Sequence, residues 1–213
     1  MEFVKSMVDL FLHLDEYLQM IVTSYGAWTY GILFVVIFIE TGLVVMPFLP
    51  GDSLLFAAGT FAALGSFNVL SLIGLLAVAA VLGDTVNYSI GHYLGERAYS
   101  IKWIKKEYLD RTHSFFEKHG GKAIFLARFV PIVRTFAPFV AGVGRMSYSY
   151  FATYNVVGGI TWVVIFSLLG YFFGNIPFVK QNFELVIIVI ILISVIPMVV
   201  EWWKNQRKPA SLA

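Results

Sequence analysis

Apolar residues in this chain come mostly in long runs rather than in narrow stripes. Residues 68–94, 150–174 and 183–203 are each long enough to cross a bilayer, which takes about 20 residues, and carry few charges. Residues 1–24 differ. Phe3, Met7, Leu10, Phe11, Leu14, Leu18 and Ile21 line one side at helical spacing, while Lys5, Asp9, Asp15, Glu16 and Gln19 lie mostly opposite. The pattern predicts an amphipathic helix, either lying in the membrane interface or packed on the rest of the chain as a soluble helix would be.

Two further apolar stretches are interrupted. Residues 27–46 have the length of a span, yet Glu40 lies inside them and the following PFLPGD cannot continue a helix. Residues 53–63 are too short to cross alone. Segment 37–63 therefore predicts a helix, a break at Pro47, Pro50 and Gly51, and a half-helix, which together make a re-entrant hairpin. Residues 123–144 form a second broken stretch, with breaks at Pro131 and Pro138. Between the two lie the span 68–94 and a polar segment, 95–122, predicted helical up to Gly120-Gly121.

The two halves echo each other. FLPGDSLLFAAG resembles FVPIVRTFAPFVAG, GHYLG (91–95) matches GYFFG (170–174), and Gly65 matches Gly144 at the same separation. The expected fold is an all-α integral membrane protein, one domain, built as an inverted repeat with two opposed re-entrant helical hairpins plus transmembrane helices. Broken segments at matching positions of two halves are the sequence pointer to a transport site.

Composition agrees with a membrane setting: 59% of the 213 residues are hydrophobic and 13% charged, against about 25% charged in a soluble domain. The small net charge of +2 gives no footprint for nucleic acid, and no such partner is expected. With no cysteine, the chain has no disulfide, thiolate metal site or thiol nucleophile. Asp9, Asp15 and Glu16 interrupt the N-terminal apolar run, so it makes a poor signal peptide. Seven Lys or Arg lie in 95–122 (Arg97, Lys102, Lys105, Lys106, Arg111, Lys118 and Lys122), and Lys204, Arg207 and Lys208 follow Trp202-Trp203. The positive-inside rule then puts the central segment and the C-terminus in the cytoplasm. Hairpin two would enter from that side and hairpin one from the other.

The charges inside apolar segments are Glu40, Asp52, Asp84, Arg128 and Arg134. Each costs about 2.5–3.5 kcal/mol at the bilayer centre on insertion scales, so they pair, line a wet cavity, or are in part neutral. Arg128 and Arg134 flank Pro131, and the break lets both guanidiniums converge. Their planar forks match phosphate oxygens, and a half-helix after Pro138 would aim free N–H groups at the same region. Glu40 and Asp52 are titratable and are candidate proton carriers or gates; Asp52 is also placed to N-cap the half-helix 53–63. Asp84 and Asn87 extend a polar path or make a helix-packing hydrogen bond. The alternative is purely structural: oppositely charged hairpins whose ion pairs fix the fold.

ETGLVVMPFLPGDSLLFAAG, GDTVNYSIGHYLG and ARFVPIVRTFAPFVAG resemble the DedA family, also called the SNARE-associated or VTT domain family, over roughly residues 30–174. The resemblance implies a bacterial cytoplasmic (inner) membrane protein with two facing re-entrant hairpins. Its key acids and arginines map onto Glu40, Asp52, Arg128 and Arg134. It also implies a flippase for undecaprenyl phosphate or, in some branches, phosphatidylethanolamine, with dependence on the proton gradient.

The leading expectation is a transporter that recycles undecaprenyl phosphate, with Arg128 and Arg134 holding the phosphate and Glu40 and Asp52 coupling protons. The alternatives are a phosphatidylethanolamine flippase or scramblase, a proton-coupled cation antiporter, and a passive assembly protein. An enzyme is not expected: there is no GxSxG or HExxH, and His13, His92, His113 and His119 are scattered. No cofactor or metal is expected. The oligomeric state, a homodimer included, is left open.

Overall fold

A computed structural model describes residues 14–43, 51–94 and 120–174, with six isolated positions beyond (176, 177, 179, 185, 186 and 189). Pro47 and Pro50, most of segments 95–122 and 183–203, and residues 1–13 lie outside the described residues. The described chain is helical: α1 (Leu14–Tyr25), α2 (Trp28–Gly42), α3 (Gly51–Ala63), α4 (Val69–Leu94), α5 (Ala123–Ala127), preceded by a single 3-10 turn at Gly120–Lys122, α6 (Pro131–Val143) and α7 (Tyr148–Phe173).

Length separates two kinds of helix. α4 and α7 have 26 residues each, about 39 Å at 1.5 Å per residue, and are long and apolar enough to cross a membrane. α2 has 15 residues and α3 and α6 have 13 each, about 20–22 Å, short of a hydrocarbon core of about 30 Å. The span-length run 27–46 is thus cut: α2 stops at Gly42 and Leu43 is already extended.

Hydrogen bonds and close contacts give the directions. The Asn68 N–H donates to the Tyr30 hydroxyl (2.8 Å) and the Gly51 N–H to Glu40 Oε1 (3.1 Å), so α2 runs out and α3 runs back beside its own start. α2 lies parallel to α4: Tyr30 meets Asn68, and the Thr41 carbonyl accepts from Asn87 Nδ2 (3.1 Å). In the other half, Gly121 packs on the Tyr150 ring and Arg128 on Gly158 and Gly159, so α5 runs parallel to α7. α6 returns beside α4, from Thr135 at Asn87 to Gly142 at His92. α3 runs down α7, from Asp52 at Trp162 to Thr60 at Gly170. α4 and α7 are antiparallel, with Asn155 bonded to the Val81 carbonyl and Tyr148 against Tyr88.

Each returning arm therefore packs on the long helix of the other half. Glycines permit it. A Cβ at Gly170 would fall on the Phe56 main chain and one at Gly59 on that of Ser167; across the molecule, Gly91 meets the Phe139 main chain and Gly142 that of Tyr88 and His92. In a bilayer, lipid tails remove the hydrophobic drive between helices, and such small-residue contacts supply the packing instead. Along α4, Leu72, Leu76 and Ala80 join one apolar cluster with Leu33, Ile37, Leu55 and Val163, while Tyr88 joins a second with Ile124, Val133 and Phe151. Asp84 and Asn87 fall between them.

The two returning arms also end alike. Ser66 N–H bonds the Phe61 carbonyl and Gly65 N–H that of Ala62; Met146 N–H bonds Ala141 and Arg145 N–H bonds Gly142. Both are Schellman turns, with Gly65 at φ +86° in one and Arg145 at φ +54° in the other. A side chain in this left-handed region costs about 1–2 kcal/mol. Arg145 is exposed, so Arg145→Gly is expected to raise stability by about 1 kcal/mol, read as a higher thermal unfolding midpoint in detergent. An unchanged midpoint counts against the strain.

The second break differs from the sequence expectation. α6 starts at Pro131, and Pro138 lies inside it. Proline suits the first helical position, where its missing N–H is no loss, and the residue before it is driven extended, as Val130 is (φ −123°, ψ 103°). The half-helix therefore begins seven residues earlier than a break at Pro138 would place it, and Arg134 lies in its first turn rather than ahead of it.

Candidate functional site

The site is built where the end of α2 and the start of α3 meet the end of α5 and the start of α6. Glu40 sits two residues before the end of α2, Asp52 is the second residue of α3, Arg128 caps the C-terminal end of α5, and Arg134 is the fourth residue of α6. On the long helices, Asp84 is 15 residues from the start of α4 and Trp162 is 14 from the start of α7, roughly 21–23 Å along the axis. Both lie near the middle of their helices.

The charges form two groups. In the first, Arg134 holds two acids at once: Nη1 donates to Asp52 Oδ1 at 2.8 Å, and Nη2 to Glu40 Oε1. Glu40 Oε1 also accepts the Gly51 N–H, so this carboxylate sits at the N-terminal end of α3, where the helix field favours an anion. Only a glycine allows this approach: a Cβ at Gly51 would lie 2.7 Å from Glu40 Cδ. Asp52 Oδ1 has a further donor, Trp162 Nε1, at 2.7 Å.

In the second group, Arg128 Nη2 donates to Asp84 Oδ2 and, at 2.6 Å, to Asn155 Oδ1. Asn155 Nδ2 in turn donates to the Val81 carbonyl at 3.0 Å. Arg128 thereby ties the turn before α6 to both long helices. Its side chain is 2% exposed, against 14% for Arg134 and 15% for Asp52. The first group is thus the more accessible of the two.

Trp162 joins the groups. It is fully buried, with its ring centroid 5.0 Å from Arg134 Cζ and 6.0 Å from Arg128 Cζ, the range of a cation–π contact.

Glu40, Asp52 and Arg134 therefore lie in one cluster, and Arg128 in a neighbouring one. Asp84 accepts from Arg128 as its ion partner, and Asn87 makes helix-packing hydrogen bonds to the carbonyls of Thr41 and Thr135. Pro131 forms the break, Gly51 the close approach, and Pro138 neither. Trp162 and Asn155 escape a search for charges, because both stand in a run that carries none. The signal that would find them is their common face: Asn155, Gly158, Gly159 and Trp162 repeat at helical spacing. Among the described residues no group of three or more His, Cys, Asp or Glu could hold a metal ion.

The VTT domain profile matches residues 49–172. The chain is 52% identical to protein DedA of Escherichia coli K12 over the whole of both chains. It is 42% identical to an uncharacterized membrane protein of Mycobacterium leprae, covering 84% of this chain and 82% of that one. It is 36% identical to the inner membrane protein YqjA of Escherichia coli K12, covering 83% and 85%. No solved structure matches at a significant level. The chain belongs to the DedA (VTT domain) family of membrane proteins.

Proposed function

We propose that this protein carries phosphate-bearing lipids between the leaflets of a bacterial cytoplasmic membrane, with undecaprenyl phosphate returning to the inner leaflet as its substrate. It moves the lipid without changing it chemically. In this reading α2–α3 and α5–α6 are re-entrant hairpins of an inverted repeat, entering from opposite faces, with the central segment and the C-terminus in the cytoplasm.

The observation that carries it is the double hold on Arg134. An arginine shared by two carboxylates, partly accessible and mid-membrane, can exchange one acid for a phosphate oxygen without being left unpaired. The displaced carboxylate, Glu40 or Asp52, becomes the proton acceptor, which couples lipid movement to the proton gradient. Arg128 is the fixed neighbour: among the described residues its carboxylate partner is Asp84, and its burial is nearly complete, so it shapes the seat and Arg134 opens it. A phosphatidylethanolamine headgroup would use the same fork.

A second reading, a proton-coupled cation exchanger, is favoured by the count of charges, three carboxylates (Glu40, Asp52 and Asp84) against two guanidiniums. One assay separates these readings. Proteoliposomes carry a fluorescent polyprenyl phosphate or phosphatidylethanolamine, and the fraction reached by an outside quencher is followed. The expected result is movement of polyprenyl phosphate, slowed at least about tenfold by Arg134→Ala, the equivalent of one lost charged hydrogen bond, and slowed when the proton gradient is collapsed. Faster transfer of phosphatidylethanolamine would reassign the lipid. Cation flux without lipid movement, or full transfer by Arg134→Ala, would overturn the proposal.

A further inference from the structure

Asn87 is fully buried on α4, and the mechanism above does not use it. Its side-chain amide has two N–H groups, and each is taken. One donates to the Thr41 carbonyl at 3.1 Å and the other to the Thr135 carbonyl at 3.0 Å. These two acceptors are the residues directly after Glu40 and Arg134. They belong to α2 and α6, one from each half, and α4 stands between them. Thr41 lies in the last turn of α2, where a carbonyl has lost its helical donor, so a side-chain donor is welcome there. Two carbonyls on one amide also fix which way it points, because its oxygen would repel both.

We propose that Asn87 is a positioning residue that sets the register of α2 and α6 on α4, so that Glu40 meets Arg134. The hydrogen bonds support the register by themselves; its consequence for transport rests on the reading above. The lever is helical geometry. A slip of one residue along a helix turns every side chain by about 100°. Such a slip of α2 or α6 on α4 would swing Glu40 or Arg134 out of reach of its partner. The apolar contacts on either side are poor at preventing it, since side chains of similar size fit several registers. A polar group with two acceptors in an apolar interface accepts one register, the role a buried asparagine plays between coiled-coil helices.

The arrangement also explains an odd cost. Asn87 Oδ1 has no hydrogen-bond partner among the described residues and is out of solvent. A buried acceptor without a donor is unfavourable, and a leucine of the same branched shape would avoid it. The amide is retained for its two N–H groups.

The chain has no cysteine, so spin labels can be placed pairwise without removing any. One pair, at Leu43 and Phe129, both exposed, reports the end of α2 against the start of α6. A control pair, at the exposed Leu64 and Phe173, reports α3 against α7, neither of which Asn87 bonds. The protein is used full length in detergent and in liposomes. Asn87→Leu is expected to broaden the Leu43–Phe129 distance distribution and leave the control pair narrow. Asn87→Asp removes the same two donors at almost equal volume and should do the same. Asn87→Gln keeps both donors on a longer arm and should restore much of the narrow distribution, which also serves if the other two variants fold poorly. An unchanged Leu43–Phe129 distribution in Asn87→Leu overturns the proposal. So does equal broadening of both pairs, which marks a general loss of packing. If the Leu43–Phe129 distribution broadens as expected while lipid transfer stays at the wild-type rate, the register role stands and the transport role given to Glu40 and Arg134 falls.

Discussion

Arg134→Ala is expected to lower stability by about 3 kcal/mol, the lower end of the loss on breaking a buried ion pair, and to stop lipid transfer. The lower end applies because this side chain is 14% exposed. The variant leaves Glu40 and Asp52 without their shared cation, and water reaches them only partly. Arg134→Lys keeps the charge but loses the planar fork; one ammonium cannot reproduce both bonds, so an intermediate loss is expected. Arg128→Ala should cost as much or more, since its partner Asp84 is 6% exposed. The two arginines separate in the paired replacements. Arg128→Leu with Asp84→Leu removes a buried pair together, which is often neutral or better for stability, and should recover the unfolding midpoint of wild type. Thermal unfolding in detergent, beside the leaflet assay, reads both. Equal recovery by Arg134→Leu with Glu40→Leu would sink the division of roles, because Asp52 would then have needed no cation.

The sequence carries the outline of this site but not its wiring. α4 and α7 are legible because length and apolarity suffice to mark a crossing helix: 68–94 and 150–174 are read, and Val69–Leu94 and Tyr148–Phe173 observed. The acids and arginines are legible because charge in an apolar run is costly. Which acid meets which arginine is not legible, since that depends on helix directions set by the turns. Asp84 illustrates it. On the sequence it has no basic residue near it, yet parallel packing of α5 on α7, with α4 crossing in the opposite sense, brings Arg128 to it.

Proline misleads at one position for a related reason. Pro131 and Pro138 look equivalent as breaks, but a proline at a helix start is favoured, while one inside a helix loses a hydrogen bond and crowds the preceding turn without necessarily ending the helix. The carbonyl that Pro138 cannot serve is that of Arg134, four residues earlier. Trp162 is missed because its indole counts as apolar. Its Nε1–H gives it a polar end, and in this protein that end is spent on Asp52.

Gly51→Ala should abolish transport in a protein that still folds, and Gly170→Ala should do the reverse. The atoms a new Cβ would meet decide it. At Gly51 they belong to the Glu40 carboxylate, with Oε1 2.6 Å away. That carboxylate is the end of a flexible side chain and can swing aside at little steric cost. Doing so, it gives up the Gly51 N–H and its place beside Arg134, and the site is lost while the helices stay packed. At Gly170 the obstacle is main chain: Phe56 C at 2.7 Å and Cα at 3.0 Å. α3 must move off α7, an overpacking cost of about 1–3 kcal/mol, at a level about two turns of α7 from Trp162 and the charged cluster. Gly74→Ala is the control, because a Cβ there meets nothing within 4 Å and helix propensity alone predicts a gain of up to about 1 kcal/mol. Unfolding midpoints and lipid transfer measured on all three test the argument. Wild-type transfer by Gly51→Ala would show that Glu40 need not sit against α3, and would remove that carboxylate from the mechanism.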